Sequence, residues 1–147
     1  MEPIDIKWDE YFELIKQCID KLEVCPDYIF APTRGGLIPA VITSHSLGIR
    51  MYPMEPHNLE ETIQPIKLKE ARTVLFIDDI YDSGQTANKC VKYLEDKGYT
   101  VITCAIILKR GCKFKPSIYG RIIHKDAYVI FPYENNAKEI KEMKKRS

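Results

Sequence analysis

The 147-residue sequence predicts an α/β fold in which helices cover both faces of a mostly parallel central sheet. Short apolar segments, such as residues 74–77 and 100–108, are typical of buried strands. Segments with apolar residues at helical spacing alternate with them along the chain. Hydrophobic residues make up 45% of the chain and charged residues 29%, as in ordinary globular proteins. We therefore expect one domain spanning residues 1–147.

The first third of the chain predicts two helices around one short strand. The first helix is indicated by seven apolar residues at helical spacing: Trp8, Tyr11, Phe12, Ile15, Cys18, Ile19 and Leu22. Asp9 is expected to cap this helix. Residues 28–31 predict a buried strand that breaks at Arg34-Gly35-Gly36. Residues 37–47 predict a second helix that Gly48 ends.

The remaining elements continue the alternation after an unusual segment. Residues 51–70 hold three prolines and mixed charge, so we expect a short strand near Met51 and then a mobile lid loop. The later elements are predicted as a strand at 73–77, a helix at 83–97, a strand buried on both faces at 100–108, and strands at 118–124 and 127–131. Residues 135–147 are rich in charge and predict a solvated C-terminal tail.

Charge and composition argue against several classes of protein. The net charge of +1 gives no electrostatic reason to expect a nucleic acid or an acidic membrane as partner. No apolar run is long enough to cross a bilayer, and the N-terminus lacks a signal-peptide pattern, so we expect a cytoplasmic protein. The five cysteines have no CxxC spacing, which predicts reduced thiols rather than a zinc site or disulfides.

Three carboxylates crowd the end of the strand predicted at residues 73–77. Asp78, Asp79 and Asp82 would repel one another, so a purely structural role explains them poorly. They suit a ligand that offers hydroxyl groups or brings a cation. The residues from Asp82 to Thr86 then begin a helix, where free backbone N–H groups favour an anion. Acids beside an anion site indicate a sugar phosphate as ligand.

Other interpretations of this stretch explain less of it. Asp82 or Ser83 could simply cap the helix, but a cap does not account for the Asp78-Asp79 pair on an apolar strand. The sequence contains no GxxxxGK and no GxG, which excludes a P-loop and a dinucleotide fingerprint. The spacing in "DDIYD" also differs from the DxD pair of a phosphatase nucleophile.

Three segments resemble the type I phosphoribosyltransferases. "VLFIDDIYDSGQTA", which begins at Val74, resembles the motif that binds phosphoribosyl pyrophosphate (PRPP) in this family. "APTRGGLIPA" resembles its pyrophosphate loop, and "DAYVIFPYE" resembles the base-binding segment of its purine-type members. The resemblance covers residues 28–134 and is strongest to bacterial xanthine-guanine and hypoxanthine phosphoribosyltransferases. It implies the type I phosphoribosyltransferase fold, with a small hood segment beside the parallel sheet.

The resemblance also implies an activity, which is Mg²⁺-dependent transfer of the phosphoribosyl group from PRPP to a 6-oxopurine. The products would be a nucleoside 5′-monophosphate and pyrophosphate, in purine salvage. Asp78 and Asp79 would hold the ribose hydroxyls, directly or through the metal. Asp82 would face the purine N7 as general acid/base. The 5′-phosphate would be bound by the loop formed by Asp82, Ser83, Gly84, Gln85 and Thr86.

Five further residues receive roles from the same resemblance. Arg34 and the Gly35 amide would bind pyrophosphate, although a plain tight turn explains that segment equally well if it stands alone. Lys109 would donate to the 6-oxo group, the alternative being a solvated lysine at a strand end. Tyr128 would stack on the base, unless it is a core aromatic, and the Val129 carbonyl would accept from a 2-amino group.

One departure from the family pattern keeps other functions open. Residues 51–70 lack the Ser-Tyr pair of many purine-type lids, although Lys67 and Lys69 could contact pyrophosphate there. The alternatives to a purine enzyme are a non-catalytic module that senses PRPP or nucleotides, and a phosphoribosyltransferase for another base. By resemblance the partners are PRPP and a purine base, with neither nucleic acid nor membrane. The same resemblance implies a homodimer or homotetramer.

Overall fold

The computed structural model describes residues 2–63 and 73–146. These residues form a five-stranded central sheet, a two-stranded sheet and helices. The strands are β1 (Ile4–Asp5), β2 (Tyr28–Pro32), β3 (Met51–Met54), β4 (Thr73–Tyr81), β5 (Thr100–Lys109), β6 (Ile118–Ile123) and β7 (Val129–Ile130). The helices are α1 (Trp8–Asp20), α2 (Leu37–Leu47), α3 (Leu59–Ile63), α4 (Gln85–Asp96) and α5 (Pro132–Arg146).

The central sheet has the order β3-β2-β4-β5-β6, and every neighbouring pair is parallel. β4 lies in the middle, with β2 on one side and β5 on the other. In a parallel sheet all carboxyl ends lie at one edge, and ligands bind beyond that edge. The turns that follow β2, β4 and β5 therefore lie side by side.

Helices cover both faces of this sheet, which confirms the predicted fold. α1 and α2 pack on one face in a core cluster that includes Leu75 and Ile77 of β4. α4 packs on the other face in a second cluster that includes Val74 and Phe76. The alternation along β4 is the reason that one strand supplies both cores. Full burial of each such side chain stabilises the fold by roughly 1.5–3 kcal/mol.

The two-stranded sheet joins the two ends of the chain. β1 pairs in parallel with β7, with Ile4 opposite Val129 and Asp5 opposite Ile130. The Ile4 amide extends this pairing by donating to the Tyr128 carbonyl at 2.7 Å. This small sheet and the start of α5 form the hood segment beside the central sheet.

The start of α1 differs from the prediction. The helix begins at Trp8, with Lys7 in the N-cap position and no side-chain cap. Asp9 lies inside the first turn, where its carboxylate accepts from the Glu10 amide at 3.0 Å. The prediction that Asp9 caps the helix was wrong because Trp8 already packs as a helical residue, stacked on Phe12 at 5.4 Å between ring centroids.

β4 is longer than predicted, and this changes where the acids lie. The ladder with β5 continues through the pairs Asp78–Ala105, Ile80–Ile107 and Tyr81–Leu108. Asp78 and Asp79 are therefore strand residues, whereas the sequence predicted that the strand stops at Ile77. α4 is correspondingly shorter, since it starts at Gln85 after the N-cap residue Gly84.

Smaller differences affect the later strands and the chain end. β5 is fully buried only from Cys104 to Leu108, whereas Thr100 is exposed and residues 101–103 are partly buried, with Val101 and Ile102 packed against the two core clusters. β6 ends at Ile123, and β7 comprises only Val129–Ile130. The segment from Glu134 onward belongs to α5, whose last turns are exposed.

The proposed lid segment is described only in part. β3 extends to Met54, and the helix α3 follows within the predicted loop. Lys67 and Lys69 lie outside the described residues.

The cysteine side chains lie mostly in the core. Cys18, Cys25, Cys90, Cys104 and Cys112 are all free, and all but Cys25 are buried, as predicted for reduced cysteines on apolar faces. Of the helices in the described ranges, none combines the length and the apolar character that a membrane crossing requires.

Gly120 of β6 provides a test of how α1 packs on the sheet. A Cβ atom at this position would lie 2.7 Å from the Ile106 carbonyl oxygen and 3.3 Å from Leu14 of α1. Gly120→Ala should therefore force α1 or the strand to shift and lower the free energy of unfolding by about 1–3 kcal/mol. Thermal unfolding followed by circular dichroism measures the change. Ser46→Ala on the exposed side of α2 is the control, and an unchanged Tm for Gly120→Ala would contradict this packing.

Candidate functional site

Three chain segments meet at the carboxyl edge of the central sheet. The turn at residues 33–36 follows β2, the turn at 82–84 follows β4, and Lys109 ends β5. Because β4 lies between β2 and β5, the first and last of these segments flank the acidic turn. Residues from separate sequence motifs therefore lie together at one edge of the central sheet.

The two adjacent acids of β4 serve different cavities. Successive side chains of a strand point to opposite faces. Asp78 lines a cavity of about 100 Å³ together with the turn and first helical residues at 82–87. Asp79 lines a larger cavity of about 550 Å³ with Arg34 and Gly35. The adjacent acids thus connect the two cavities.

Asp79 is tightly enclosed on the β2 side. Its side chain is 8% exposed and packs against Gly35, where a Cβ atom would lie 2.0 Å from Asp79 Oδ2. The hydroxyl of Tyr133 donates a hydrogen bond to the same oxygen. Burial and the charge of Asp79 raise the pKa of that hydroxyl well above its ordinary value, so Tyr133 is a donor at all physiological pH values.

The turn after β2 is anchored to the neighbouring strand. Thr33 donates from its hydroxyl to the Glu55 carboxylate at 2.7 Å and from its amide to the Met54 carbonyl at 2.9 Å. The peptide bond between Thr33 and Arg34 is cis. Arg34 is exposed at the rim of the larger cavity, where a cationic side chain can meet an anion.

Asp78 is held by its neighbour and is electrostatically unfavourable when ionised. Its Oδ1 accepts the Asp79 amide at 2.8 Å. Burial, and then the negative charge of Asp79, raise the pKa of the Asp78 carboxyl well above its ordinary value of 3.8. Such a perturbed acid in a cleft is typical of functional sites.

The turn at 82–84 presents amide groups to the smaller cavity. Gly84 is the N-cap residue of α4 in a left-handed conformation (φ 85°), and the first helical hydrogen bond runs from Asn88 back to its carbonyl at 2.9 Å. The amides of Gln85 and Thr86 precede that bond, so they belong to the N-terminal set that has no acceptor within the helix. The Gln85 amide donates to the Ser83 hydroxyl at 3.3 Å. This geometry suits an anion such as a phosphate group.

The loop between β5 and β6, which no sequence motif covers, supports this turn. A Cβ atom at Gly84 would lie 2.9 Å from both Cys112 Sγ and Phe114 Cβ. The connection from β5 to β6 at residues 110–117 therefore packs directly on the amide-rich turn. Its spacing carries no recognisable pattern, so only the fold shows this contact.

Lys109 and Asp82 form an ion pair across adjacent strand ends. The Nζ atom lies 3.2 Å from Asp82 Oδ2. The lysine side chain is only 15% exposed, whereas that of Asp82 is 70% exposed. The acid therefore faces the open cleft, with a largely buried cation fixed beside it.

Tyr128 and Val129 lie in the hood segment. Tyr128 is 61% exposed, so it is not a core aromatic, and Val129 is buried in β7. No hydrogen bond or cavity of the described residues joins them to the Asp82–Lys109 pair. Tyr133 and Glu134 belong to the segment "DAYVIFPYE", where the resemblance gives them no role, yet both line the larger cavity with Arg34.

Asp78→Asn should stabilise the ligand-free protein at neutral pH. Because the pKa of Asp78 is higher in the folded protein than in the unfolded chain, its ionisation opposes folding. This penalty is absent below pH 3.8 and grows as the pH rises toward the folded-state pKa. We expect a higher Tm at pH 7, by roughly 2–4 °C for each kcal/mol gained, and a difference that shrinks as the pH falls toward the ordinary pKa.

The measurement is a series of thermal scans in buffer with a chelator, so that no metal ion binds the acids. Asp96→Asn makes the same chemical change on an exposed residue at the end of α4, and it should alter stability by no more than about 0.5 kcal/mol. A Tm for Asp78→Asn that is lower than that of the unmodified protein at pH 7 would overturn the electrostatic assignment.

Comparisons with known proteins identify the same fold. The purine phosphoribosyltransferase of Pyrococcus horikoshii superposes with a TM-score of 0.77 over 91% of this chain and 95% of that one, at 25% identity. The xanthine-guanine-hypoxanthine phosphoribosyltransferase of Helicobacter pylori superposes with a TM-score of 0.81 over 96% and 98%, at 21% identity, and so shows a shared fold.

The relatives found by sequence include orotate phosphoribosyltransferases. The orotate phosphoribosyltransferase of Brucella canis is 26% identical over 129 residues, which cover 85% of this chain and 67% of that protein. This chain spans only 44% of the length of the orotate phosphoribosyltransferases of the genus Bartonella that it matches. Residues 8–134, which include the sheet and every predicted site residue, match the family described as Phosphoribosyl transferase domain. The chain therefore belongs to the phosphoribosyltransferase family.

Proposed function

We propose that the protein transfers the phosphoribosyl group of PRPP to a 6-oxopurine, namely guanine, xanthine or hypoxanthine, with release of pyrophosphate. One observation carries the proposal: the amide-rich turn at 82–86, the acid Asp78 and the Asp82–Lys109 pair converge at one sheet edge. A phosphate, a ribose and a base are the three parts of the product, and each has a suitable group there. The pathway would be purine salvage in the cytoplasm.

The chemistry assigned to each group follows from its position. The turn at 82–86 binds the 5′-phosphate through its amides, and Asp78 accepts from ribose hydroxyls. Arg34 and the Gly35 amide bind the pyrophosphate in the larger cavity. As the bond between ribose C1 and the pyrophosphate oxygen breaks, a bond forms from C1 to a base nitrogen. The positive charge that develops on the sugar is stabilised by the nearby carboxylates.

Asp82 and Lys109 act on the base. Lys109 donates to the 6-oxo group. Its ammonium group is held beside Asp82 at the end of β5, so the two side chains can bind the same edge of the base. Asp82 faces N7 and exchanges the proton that the base loses, since its carboxylate is the exposed partner of the pair. Tyr128 supplies an exposed aromatic face for stacking, and the Val129 carbonyl accepts from a 2-amino group.

The residues present fit a Mg²⁺ ion. Mg²⁺ prefers oxygen ligands and is usually held by one or two carboxylates together with substrate oxygens. Asp78 and Asp79 supply such carboxylates, while the described ranges contain no group of three or more metal-ligating side chains that would form a protein-only cage. When bound, the ion offsets negative charge on the leaving pyrophosphate.

Orotate is the second candidate base. The Brucella canis relative supports it, whereas the Pyrococcus horikoshii structure, which matches nearly the whole of both chains, supports a purine. The position of Lys109 next to Asp82 favours a base that presents a 6-oxo oxygen and N7 on one edge, as guanine, xanthine and hypoxanthine do and as orotate, which has no imidazole ring, does not.

The first test is pyrophosphate release from PRPP and Mg²⁺ with guanine, xanthine, hypoxanthine, adenine, uracil and orotate offered separately. We expect release with one or more 6-oxopurines and with none of the other bases. Release with orotate alone would replace the purine assignment by the pyrimidine one. Silence with every base, together with calorimetric binding of PRPP, would instead indicate a sensing module.

Asp82→Asn should lower turnover while PRPP binding stays intact. The amide cannot exchange the proton, and loss of a general acid/base costs on the order of 10²–10⁴ in kcat. The Kd for PRPP should change little, because the backbone amides of the turn remain. Asp96→Asn, at the opposite end of α4, is the matched control and should retain full activity. If Asp82→Asn keeps its turnover, the acid/base assignment fails.

A further inference from the structure

We infer that Tyr133 is a positioning residue: its hydroxyl holds the Asp79 carboxylate against the Arg34-Gly35 turn and so shapes the cavity for pyrophosphate. The inference rests on the proposed function, since it assumes that this cavity receives the pyrophosphate of PRPP. Neither the sequence motif nor the match to the family assigns this task to Tyr133. The contact itself joins residues that lie 54 positions apart in the chain.

The Tyr133 hydroxyl supports the Asp79 carboxylate from outside β4. Asp79 is nearly buried, and among the ion pairs of residues 2–63 and 73–146 none includes it. Tyr133 donates to Oδ2, the oxygen that also abuts Gly35. A carboxylate with no cationic partner depends on such a hydrogen bond for its orientation. The oxygen is thus fixed from two sides, by the hydroxyl and by the backbone of the turn.

Tyr133 is itself held rigidly at the start of α5. The Phe131 amide donates to the Glu134 carboxylate at 3.1 Å, and the Glu134 amide donates to the Phe131 carbonyl at 3.0 Å. The Glu134 carboxylate thus satisfies the N-cap amide, as the third helical residue does in one half of a capping box, and Pro132 occupies the first helical position, which suits proline. The Tyr133 ring stacks on Phe131 at 5.5 Å and meets the edge of Tyr11 at 6.3 Å between centroids.

Two further hydrogen bonds fix the first turn of α5 to the rest of the protein. The Asn135 side chain donates to Asp5 of β1 at 2.7 Å, and the Trp8 indole donates to Asn136 at 2.8 Å. A group that positions another within a binding site needs its own rotamer locked in this way. The start of α5 therefore holds the Tyr133 hydroxyl in a fixed position.

Removal of the Tyr133 hydroxyl should affect the pyrophosphate cavity and leave the base-binding part of the site unchanged. Without its donor, Asp79 Oδ2 is left unsatisfied, and the carboxylate can turn toward Arg34 within the cavity that both residues line. There it repels pyrophosphate and competes for the guanidinium. The Asp82–Lys109 pair lines a different part of the edge, so recognition of the base should not change.

The test compares Tyr133→Phe with the unmodified protein by calorimetric titration of inorganic pyrophosphate with Mg²⁺. We expect the Kd for pyrophosphate to rise roughly tenfold, the size expected for a lost hydrogen bond to a charged group. In turnover assays the KM for PRPP should rise similarly, while the KM for the base stays within about twofold. The ring contacts persist, so the Tm should fall by no more than about 4 °C.

Tyr93→Phe is the matched control. The Tyr93 hydroxyl of α4 is also buried, and no hydrogen-bond partner for it is found among the described residues. Its removal should leave pyrophosphate affinity unchanged. If Tyr133→Phe binds pyrophosphate as tightly as the unmodified protein does, or if it changes the KM for the base equally, the positioning role is refuted.

A double-mutant cycle separates an indirect from a direct role. In an Asp79→Ala background, Tyr133→Phe should cause no further loss of pyrophosphate affinity, because the hydroxyl acts through the missing carboxylate. An equal loss in both backgrounds would mean that Tyr133 contacts the ligand itself, against the inference. These binding measurements need no base. They therefore test the role of Tyr133 even if no base supports turnover, an outcome that would refute only the proposed function.

Discussion

The parallel ladder between β4 and β5 is the constraint on which the site depends. It continues beyond the acids to the Tyr81–Leu108 pair, so Asp78 and Asp79 are held by a sheet and not by a loop. β5 ends one residue after Leu108, which places Lys109 within 3.2 Å of Asp82. The ion pair between two chain segments is thus a direct result of strand register.

The same register separates the tasks of the two acids. A strand must send adjacent side chains to opposite faces, so the Asp78-Asp79 pair reaches two cavities at once. The arrangement carries an electrostatic cost, which is concentrated on Asp78. A charged residue that lowers the stability of the fold but faces a cleft is typically one that binds a ligand.

Local patterns in the sequence were sufficient for much of the fold. α2 has the predicted limits, and Gly48 ends it with a positive φ, because the signals for a helix and its stop are adjacent in the chain. The amide-rich turn was also predictable, since its residues are contiguous. The extension of β4 was not, because polar residues weaken the strand signal that pairing with β5 overrides.

Contacts between distant segments could not be predicted. The hydrogen bond from Tyr133 to Asp79 and the packing of Cys112 and Phe114 on Gly84 have no signal in spacing or composition. Each depends on which strand ends become neighbours and on how a loop without regular structure returns across the sheet. The order of the strands decides both, and it is a property of the whole chain.

The single tryptophan of the protein lies where α1, the hood and α5 meet. Trp8 is 36% exposed, stacks on Phe12, and donates from its indole N–H to Asn136. Indole emission responds to polarity and to hydrogen bonding at the ring nitrogen. The intrinsic tryptophan fluorescence of this protein therefore reports whether the start of α5 is docked, and no second tryptophan contributes to the signal.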